Sequence, residues 1–261
     1  MAGIGTRFMP VTKVIPKELL PIVDKPVIQY LVEEAVKSGI EEVIFVISEG
    51  KELIRDHFSE NLKVERFLRD RGKNEMLDKI QPIHKLAKFS YVYQHQPLGD
   101  GHAILQAEAL VGNEPFAVLF GDDIVQNDIP ALMQLIAHFK GDPVIAVEKV
   151  IGEAISSYGV IDPESKEGSL YKVKGLVEKP HPSVAPSDLG VIGKYVVPAS
   201  IFSALREAIP GKDGEIRLID GFIKLMEQGD IYACHIEGIR YDTGKPEGLI
   251  EANKGFWKAL F

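Results

Sequence analysis

A single cysteine, Cys234, among 261 residues leaves no partner for an internal disulfide, so burial and hydrogen bonding must hold the fold. Long apolar runs are also missing. No stretch approaches the roughly 20 apolar residues that a membrane-crossing helix needs, and no charged segment followed by an apolar run reads as a signal peptide. The expectation is a cytoplasmic protein that engages no membrane. Basic charge is in deficit: 30 Lys and Arg against 38 Asp and Glu give a formal charge of −8, which repels nucleic acid backbones and anionic surfaces. Any anionic substrate must therefore meet a local cluster of basic groups. The seven histidines are scattered, with no pair at metal-ligand spacing beside a cysteine, which argues against zinc. Neither Gly-x-x-x-x-Gly-Lys-Ser/Thr nor a full Gly-x-Gly-x-x-Gly occurs, so P-loop chemistry and a dinucleotide-binding oxidoreductase both lose support. No internal repeat is visible.

What is present alternates. Ile28, Leu31, Val32, Ala35 and Val36 fall at helical spacing between Pro26 and Gly39, which predicts a helix over 26–38. Residues 42–48 follow with a continuous apolar centre, the pattern of a strand covered on both faces. The same alternation predicts helices over 51–58, 101–110 and 129–139 and strands over 90–94, 115–121 and 143–150. Such a series builds a Rossmann-like, doubly wound, mostly parallel sheet. Beyond Ser156 the strand candidates at 158–161, 170–174 and 189–197 are separated by Gly, Pro and Ser clusters, which predicts a smaller antiparallel lobe. Helices over 199–208, 218–228 and 246–260 close the chain. No linker divides it, so a single domain, 1–261, with lobes 1–150 and 151–261, is expected. The charge-rich stretch between Asn61 and Lys88 reads as a solvated surface helix.

Three segments carry chemistry. In Met1-Ala2-Gly3-Ile4-Gly5-Thr6-Arg7 the glycines permit close backbone approach to a phosphate, while Arg7 and Lys17 add a planar fork and a point charge. Gly-x-Gly alone is more often a plain turn, and the neighbouring basic residues shift that balance. Phe120-Gly121-Asp122-Asp123 lies where an apolar strand ends, the usual ligand location in open α/β sheets, and carboxylates there call for a cation. Asp242, in Tyr241-Asp242-Thr243-Gly244, is the candidate partner, although such a tetrapeptide alone is more often a turn. In Val177-Glu178-Lys179-Pro180 a carboxylate able to accept from sugar hydroxyls precedes an ammonium able to pair with phosphate; by itself it is also an ordinary surface pair. Cys234, inside an apolar strand candidate at 231–236, reads as a buried inert thiol, and Phe256 and Trp257 as packing or interface residues.

These segments, together with Gln94-His95-Gln96-Pro97-Leu98-Gly99-Asp100-Gly101-His102-Ala103, resemble the sugar-phosphate nucleotidyltransferases nearly end to end. The charged stretch and the Gln94 segment are most similar to the bacterial branch that joins UTP to glucose 1-phosphate. The resemblance implies that Ala2 and Gly3 contact nucleotide through their backbone, that Arg7 and Lys17 hold phosphates, and that Glu18 helps to position the nucleoside. It places Gln94 and Gly99 at the base, and Gly159, Glu178, Lys179 and Val191 at the sugar phosphate. It further implies that Asp122 and Asp242 hold Mg2+; His102 is expected to cap or pack near the nucleotide loop. A phosphate oxygen of glucose 1-phosphate would attack the α-phosphorus of UTP and displace pyrophosphate, with no protein nucleophile. The alternatives are a thymidylyltransferase or other member of the family, since one methyl group separates uracil from thymine, and a non-catalytic nucleotide-sugar-binding relative. The family is commonly oligomeric, so a dimer or tetramer is expected. Two departures stand out. Family members carry a short apolar strand ahead of the glycine segment, and here that segment starts at Met1, so either the true start lies upstream or the sheet tolerates a gap. Asp188 stands where Asn is expected.

Overall fold

The computed structural model describes residue 3, residues 5–211 and residues 213–260. A small hairpin of β1 (Pro21–Ile22) and β2 (Lys25–Pro26) leads into α1 (Val27–Lys37), whose Val27, Ile28, Leu31, Val32 and Ala35 are buried as their spacing dictates. The helix stops at Gly39, which takes a φ of +91° that a residue with Cβ resists. Next come β3 (Glu42–Ile47), α2 (Glu52–His57), α3 (Leu62–Asp70), α4 (Asn74–Ile80), β4 (Lys88–Tyr93), α5 (Asp100–Leu105) and α6 (Glu108–Val111). The charge-rich stretch is thus two helices, not one, the first capped by Asn61, whose Oδ1 accepts from the Val64 amide at 3.1 Å. Continuing, β5 (Phe116–Leu119), β6 (Asp123–Gln126), α7 (Ala131–Ile136) and β7 (Val144–Lys149) complete the first half. The second half holds β8 (Gly159–Glu167), β9 (Leu170–Glu178), β10 (Leu189–Val197), α8 (Ser200–Glu207), α9 (Leu218–Met226), β11 (Ile231–His235), β12 (Ile239–Asp242) and α10 (Pro246–Leu260).

The main sheet has six strands in the order β5-β10-β7-β11-β9-β8. Direct parallel pairing is confined, among the described residues, to β3–β4 and β7–β11, because β10 inserts between β5 and β7 and runs against both. The two strands it separates therefore still point the same way, as a doubly wound arrangement requires. Strand β7 is covered on both faces. Its Ile145 and Val147 pack on α8 and α9 through Ile201, Phe202, Leu205 and Phe222, and its Val144 and Ala146 pack on α7 through Leu132 and Leu135. Lys194 of β10 has a fully buried side chain whose Nζ donates to Glu34 Oε2 of α1 at 2.8 Å, and Glu34 Oε1 accepts from the Leu132 amide at 3.0 Å. That carboxylate ties three elements around a charge that burial alone would expel.

Strands β3 and β5 depart from the expected full burial. β3 pairs only with β4, and β5 only with β10, so each keeps one free edge among the described residues. The free edges face one another across a cavity of about 870 Å³ lined by residues of β3 and β5, with α1 on one side and α5 and α6 on the other. All four residues of β5, and Val43, Ile44 and Val46 of β3, are consequently only half-buried. The four apolar residues of β7, by contrast, are wholly inaccessible. The sheet is split at this slot.

Candidate active site

The mouth of the same cavity collects the residues expected at the nucleotide: Gly3, Lys17, Glu18, Gln94, Gly99 and Asp122 all line it. Backbone geometry puts them there. Gly5 sits at a φ of +74° and its carbonyl accepts from Thr12 Oγ1 at 2.7 Å, which folds the glycine segment back over the 3₁₀ turn Lys17–Leu19. Gln94 directly follows β4, and its amide donates to the Ile47 carbonyl at 2.8 Å. Its buried side chain donates from Nε2 to the Gly99 carbonyl at 2.9 Å and lies 2.9 Å from His102 Nδ1, so His102 packs in the loop as expected. Gly99 has a φ of +100°, and a Cβ there would come within 2.3 Å of the Ile216 carbonyl oxygen. Only glycine fits.

A second cavity of about 230 Å³ adjoins it, and Asp100 and Phe120 line both. Its walls bring together Gly159, Glu178, Lys179, Val191 and Asp242, with Tyr158, Arg217, Arg240 and Lys245 added. A Cβ on Gly159 would lie 3.3 Å from Glu178 Oε2 and 3.7 Å from Val191 Cβ, which shows how closely these three converge. Lys179 adopts a φ of +45°, a left-handed conformation unusual for a residue with a side chain. Its amide bonds the Tyr158 carbonyl at 3.0 Å, and that bond locks the strained turn against the cavity.

Asp122 and Asp242 meet where the cavities join. They sit at the ends of the paired strands β6 and β12, where Thr243 donates from both its amide and Oγ1 to the Asp122 carbonyl at 2.8 Å. A Cβ on Gly244 would fall 2.5 Å from Asp122 Oδ2 and 3.1 Å from Asp242 Oδ1, so glycine alone leaves the two carboxylates room to converge. No third His, Cys, Asp or Glu joins them among the described residues. Two hard oxygen donors with open positions fit a divalent ion that completes its shell with phosphate and water.

Electrostatically the cleft is not the simple cationic ring that its sequence motifs suggest. Nearly every base already holds an acid. Lys17 pairs with Asp122; Lys51 Nζ lies 2.9 Å from both carboxylate oxygens of the fully buried Glu18; Lys179 lies 3.0 Å from Glu178; and Lys245 lies 2.9 Å from Asp242. Arg240 bonds Asp123, Glu148 at 2.8 Å and the Tyr158 hydroxyl at 2.9 Å. Burial works to lower the Lys17 ammonium, but the carboxylates of Asp122, Glu18 and Asp242 outweigh it and the net displacement is upward. For Asp242, burial acts to raise the carboxyl, yet the Lys245 and Arg240 charges and the Gly244 amide hold it below its ordinary value. Burial raises the carboxyls of Asp123 and Asp100.

Some expectations fall elsewhere. Arg7 is exposed on the turn Thr6–Phe8 and lines neither cavity. Ala2 lies outside the described residues. Asp188, the departure near the sugar segment, is exposed and lines neither cavity either, its carbonyl accepting from the Val150 amide at 2.8 Å. Cys234 is buried in β11 as its sequence suggests, with its thiol pushed up by burial. Lys51, Arg240 and Lys245 escape the motif reading, and Asp123, quoted in it beside Asp122, pairs with Arg240 instead. Lys245 had a local signal, three residues after Asp242 at the start of a helix, whereas the partners of Lys51 and Arg240 lie 33 and 117 positions away.

The nucleotidyl transferase family model matches residues 1–258. The UTP–glucose-1-phosphate uridylyltransferase YngB of Bacillus subtilis (strain 168) is 46% identical over 254 residues, covering 97% of this chain and 86% of the relative. A solved structure of apo UDP-glucose pyrophosphorylase matches with a TM-score of 0.93 at 43% identity, covering 100% of this chain and 97% of that one. Another, complexed with UDP-glucose, gives 0.90 at 43% identity and covers 99% and 96%.

Proposed function

The chain belongs to the nucleotidyl transferase family, and from that premise we propose that it transfers a uridylyl group from UTP to glucose 1-phosphate, giving UDP-glucose and pyrophosphate. One observation carries the reading: two adjoining cavities, one lined by Lys17, Gln94 and Gly99 and the other by Gly159, Glu178 and Lys179, meet at the paired carboxylates of Asp122 and Asp242. The names of the relatives, uridylyltransferase and a pyrophosphorylase holding UDP-glucose, supply the substrates.

In this assignment Ala2 and Gly3 cradle the nucleotide through their backbone, Gln94 and Gly99 read the base, and Glu18 shapes the wall behind it. Arg7, exposed beside the glycine segment, joins Lys17 at the triphosphate. Glu178 accepts from sugar hydroxyls, Lys179 pairs with the sugar phosphate, and Gly159 and Val191 line the ring. Asp122 and Asp242 would hold a divalent ion, magnesium in this reading, which when bound neutralises phosphate charge. The attacking group is a phosphate already anionic near neutral pH, so alignment and charge compensation are what the protein must add. Were Asp122 and Asp242 to hold such an ion, the ammoniums of Lys17 and Lys245, which pair with them here, would be freed for substrate phosphate. The same reading gives a cytoplasmic enzyme assembled as a dimer or tetramer, with exposed Ile250 and Trp257 of α10 as candidate interface residues. No described helix is long and apolar enough to cross a membrane.

Incubation with UTP, glucose 1-phosphate and Mg2+, followed by ³¹P NMR, tests the proposal, with dTTP and other sugar phosphates run in parallel. UDP-glucose and pyrophosphate should form together; a protein that binds UDP-glucose yet forms none is the non-catalytic relative instead.

A further inference from the structure

Four carboxylates line the smaller cavity, and three of them hold a base: Glu178 pairs with Lys179, Asp242 with Lys245 and Asp123 with Arg240. Asp100, which lines both cavities, has no basic partner among the described residues. The base nearest in the wall, Arg217, is engaged by Asp213 and by Glu215 at 3.4 Å. The backbone around Asp100 is clamped. The Ile216 amide donates to the Leu98 carbonyl at 2.8 Å, and the Gly101 amide donates to the Ile216 carbonyl at 2.9 Å. A Cβ on Gly101 would fall 2.9 Å from that oxygen, so the segment is pressed against the chain entering α9. The same chain aims the carboxylate, because Oδ1 accepts from the Leu218 amide at 2.8 Å. The next residue, Ile219, reaches the floor of the smaller cavity, where its Cδ1 would lie 3.2 Å from a Cβ on Gly159. Burial raises the Asp100 carboxyl, yet the residue is exposed. Both hold for a group deep in a cleft, surrounded by protein on most sides and open to the space that a ligand fills.

A carboxylate without a base repels phosphate and accepts hydrogen bonds, so it suits the neutral, hydroxyl-bearing part of a substrate. We propose that Asp100 is a specificity-determining residue whose carboxylate accepts a hydrogen bond from a hexose hydroxyl, in addition to the one assigned to Glu178. The Leu218 amide takes up part of its acceptor capacity and fixes its direction, and the rest is left for the sugar. The inference rests on the uridylyl-transfer reading for the identity of the sugar.

Calorimetry at fixed Mg2+ compares UDP-glucose with UDP, which differ by the hexose, on wild type and on Asp100→Leu. UDP-glucose should bind the variant roughly tenfold or more weakly, the usual loss for a hydrogen bond to a charged acceptor, while UDP binds no more weakly than to wild type. Among UDP-glucose analogues that each lack one hydroxyl, one should be penalised by wild type and not by the variant. If Asp100→Leu does not fold for want of the bond to Leu218, Asp100→Ser, whose short side chain still offers that amide an acceptor, takes its place with the same expectation. UDP-glucose bound equally by wild type and variant overturns the proposal. So does an equal weakening of UDP and UDP-glucose, which marks a purely structural role. Turnover separates the two readings: a wild type that binds UDP-glucose without forming it ends the uridylyl-transfer reading and leaves the binding comparison decisive, whereas one that does not bind UDP-glucose ends both.

Discussion

Lys51 and Glu18 form a buried ion pair against the nucleotide cavity, and its removal has a calculable result. The Glu18 carboxylate is fully inaccessible, and both its oxygens lie 2.9 Å from Lys51 Nζ. Burial pulls the Lys51 ammonium below its ordinary value, with the Glu18 charge the main force opposing that pull. Lys51→Met leaves a carboxylate stranded in a low-dielectric site, which costs about 3–5 kcal/mol. For a chain of this size each kcal/mol moves the melting midpoint by roughly 2–4 °C, so a fall of roughly 6–20 °C is expected. The double variant Lys51→Met/Glu18→Met replaces the pair with apolar volume and should recover most of the loss. Scanning fluorimetry of the wild type, both single variants and the double variant reads all of this. The reasoning fails if Lys51→Met melts within about 2 °C of wild type, or if the double variant loses the sum of the singles.

Other outcomes follow from the cleft. Lys179→Ala should raise the KM for glucose 1-phosphate at least tenfold with a smaller change in kcat, while Arg7→Ala should lower turnover; steady-state kinetics separate the two. Lys179→Gly should lose the same substrate affinity yet melt higher than Lys179→Ala, because glycine adopts the left-handed backbone there about 1 kcal/mol more readily. Gly244→Ala should weaken divalent-ion binding, measured calorimetrically with Mn2+, since its methyl would fall against Asp122 Oδ2. His57 has its pKa lowered by burial, so the unfolded chain binds more protons than the folded one below about pH 6.5. Urea midpoints should therefore drop more steeply on acidification in wild type than in His57→Asn.

Much of the frame was legible because its signals are local. The period of α1 and the apolar centre of β7 follow from residues within a few places of one another, whereas Gly99 and Gly244 answer to Ile216 and Asp122, far away along the chain. The insertion of β10 between β5 and β7 was not, since strand neighbours are chosen by topology across more than 70 positions. Nor were the ion pairs. Lys17, Lys179 and the aspartates declare themselves as charges, but which acid neutralises which base depends on the finished fold. The apolar run of β3 announced a strand covered on both faces, and its half-buried Val43, Ile44 and Val46 depart from that expectation.

The pairing of bases with acids inside the cleft has a further effect on what the protein will ignore. Chloride, sulfate and inorganic phosphate bring one-sided charge and would have to break salt links at Lys17 and Lys245 without offering Asp122 and Asp242 anything in return. A triphosphate that arrives with its own divalent counter-ion satisfies both halves of each link together. Under the uridylyl-transfer reading the cleft would therefore favour a metal-carrying nucleotide over small anions without a steric gate.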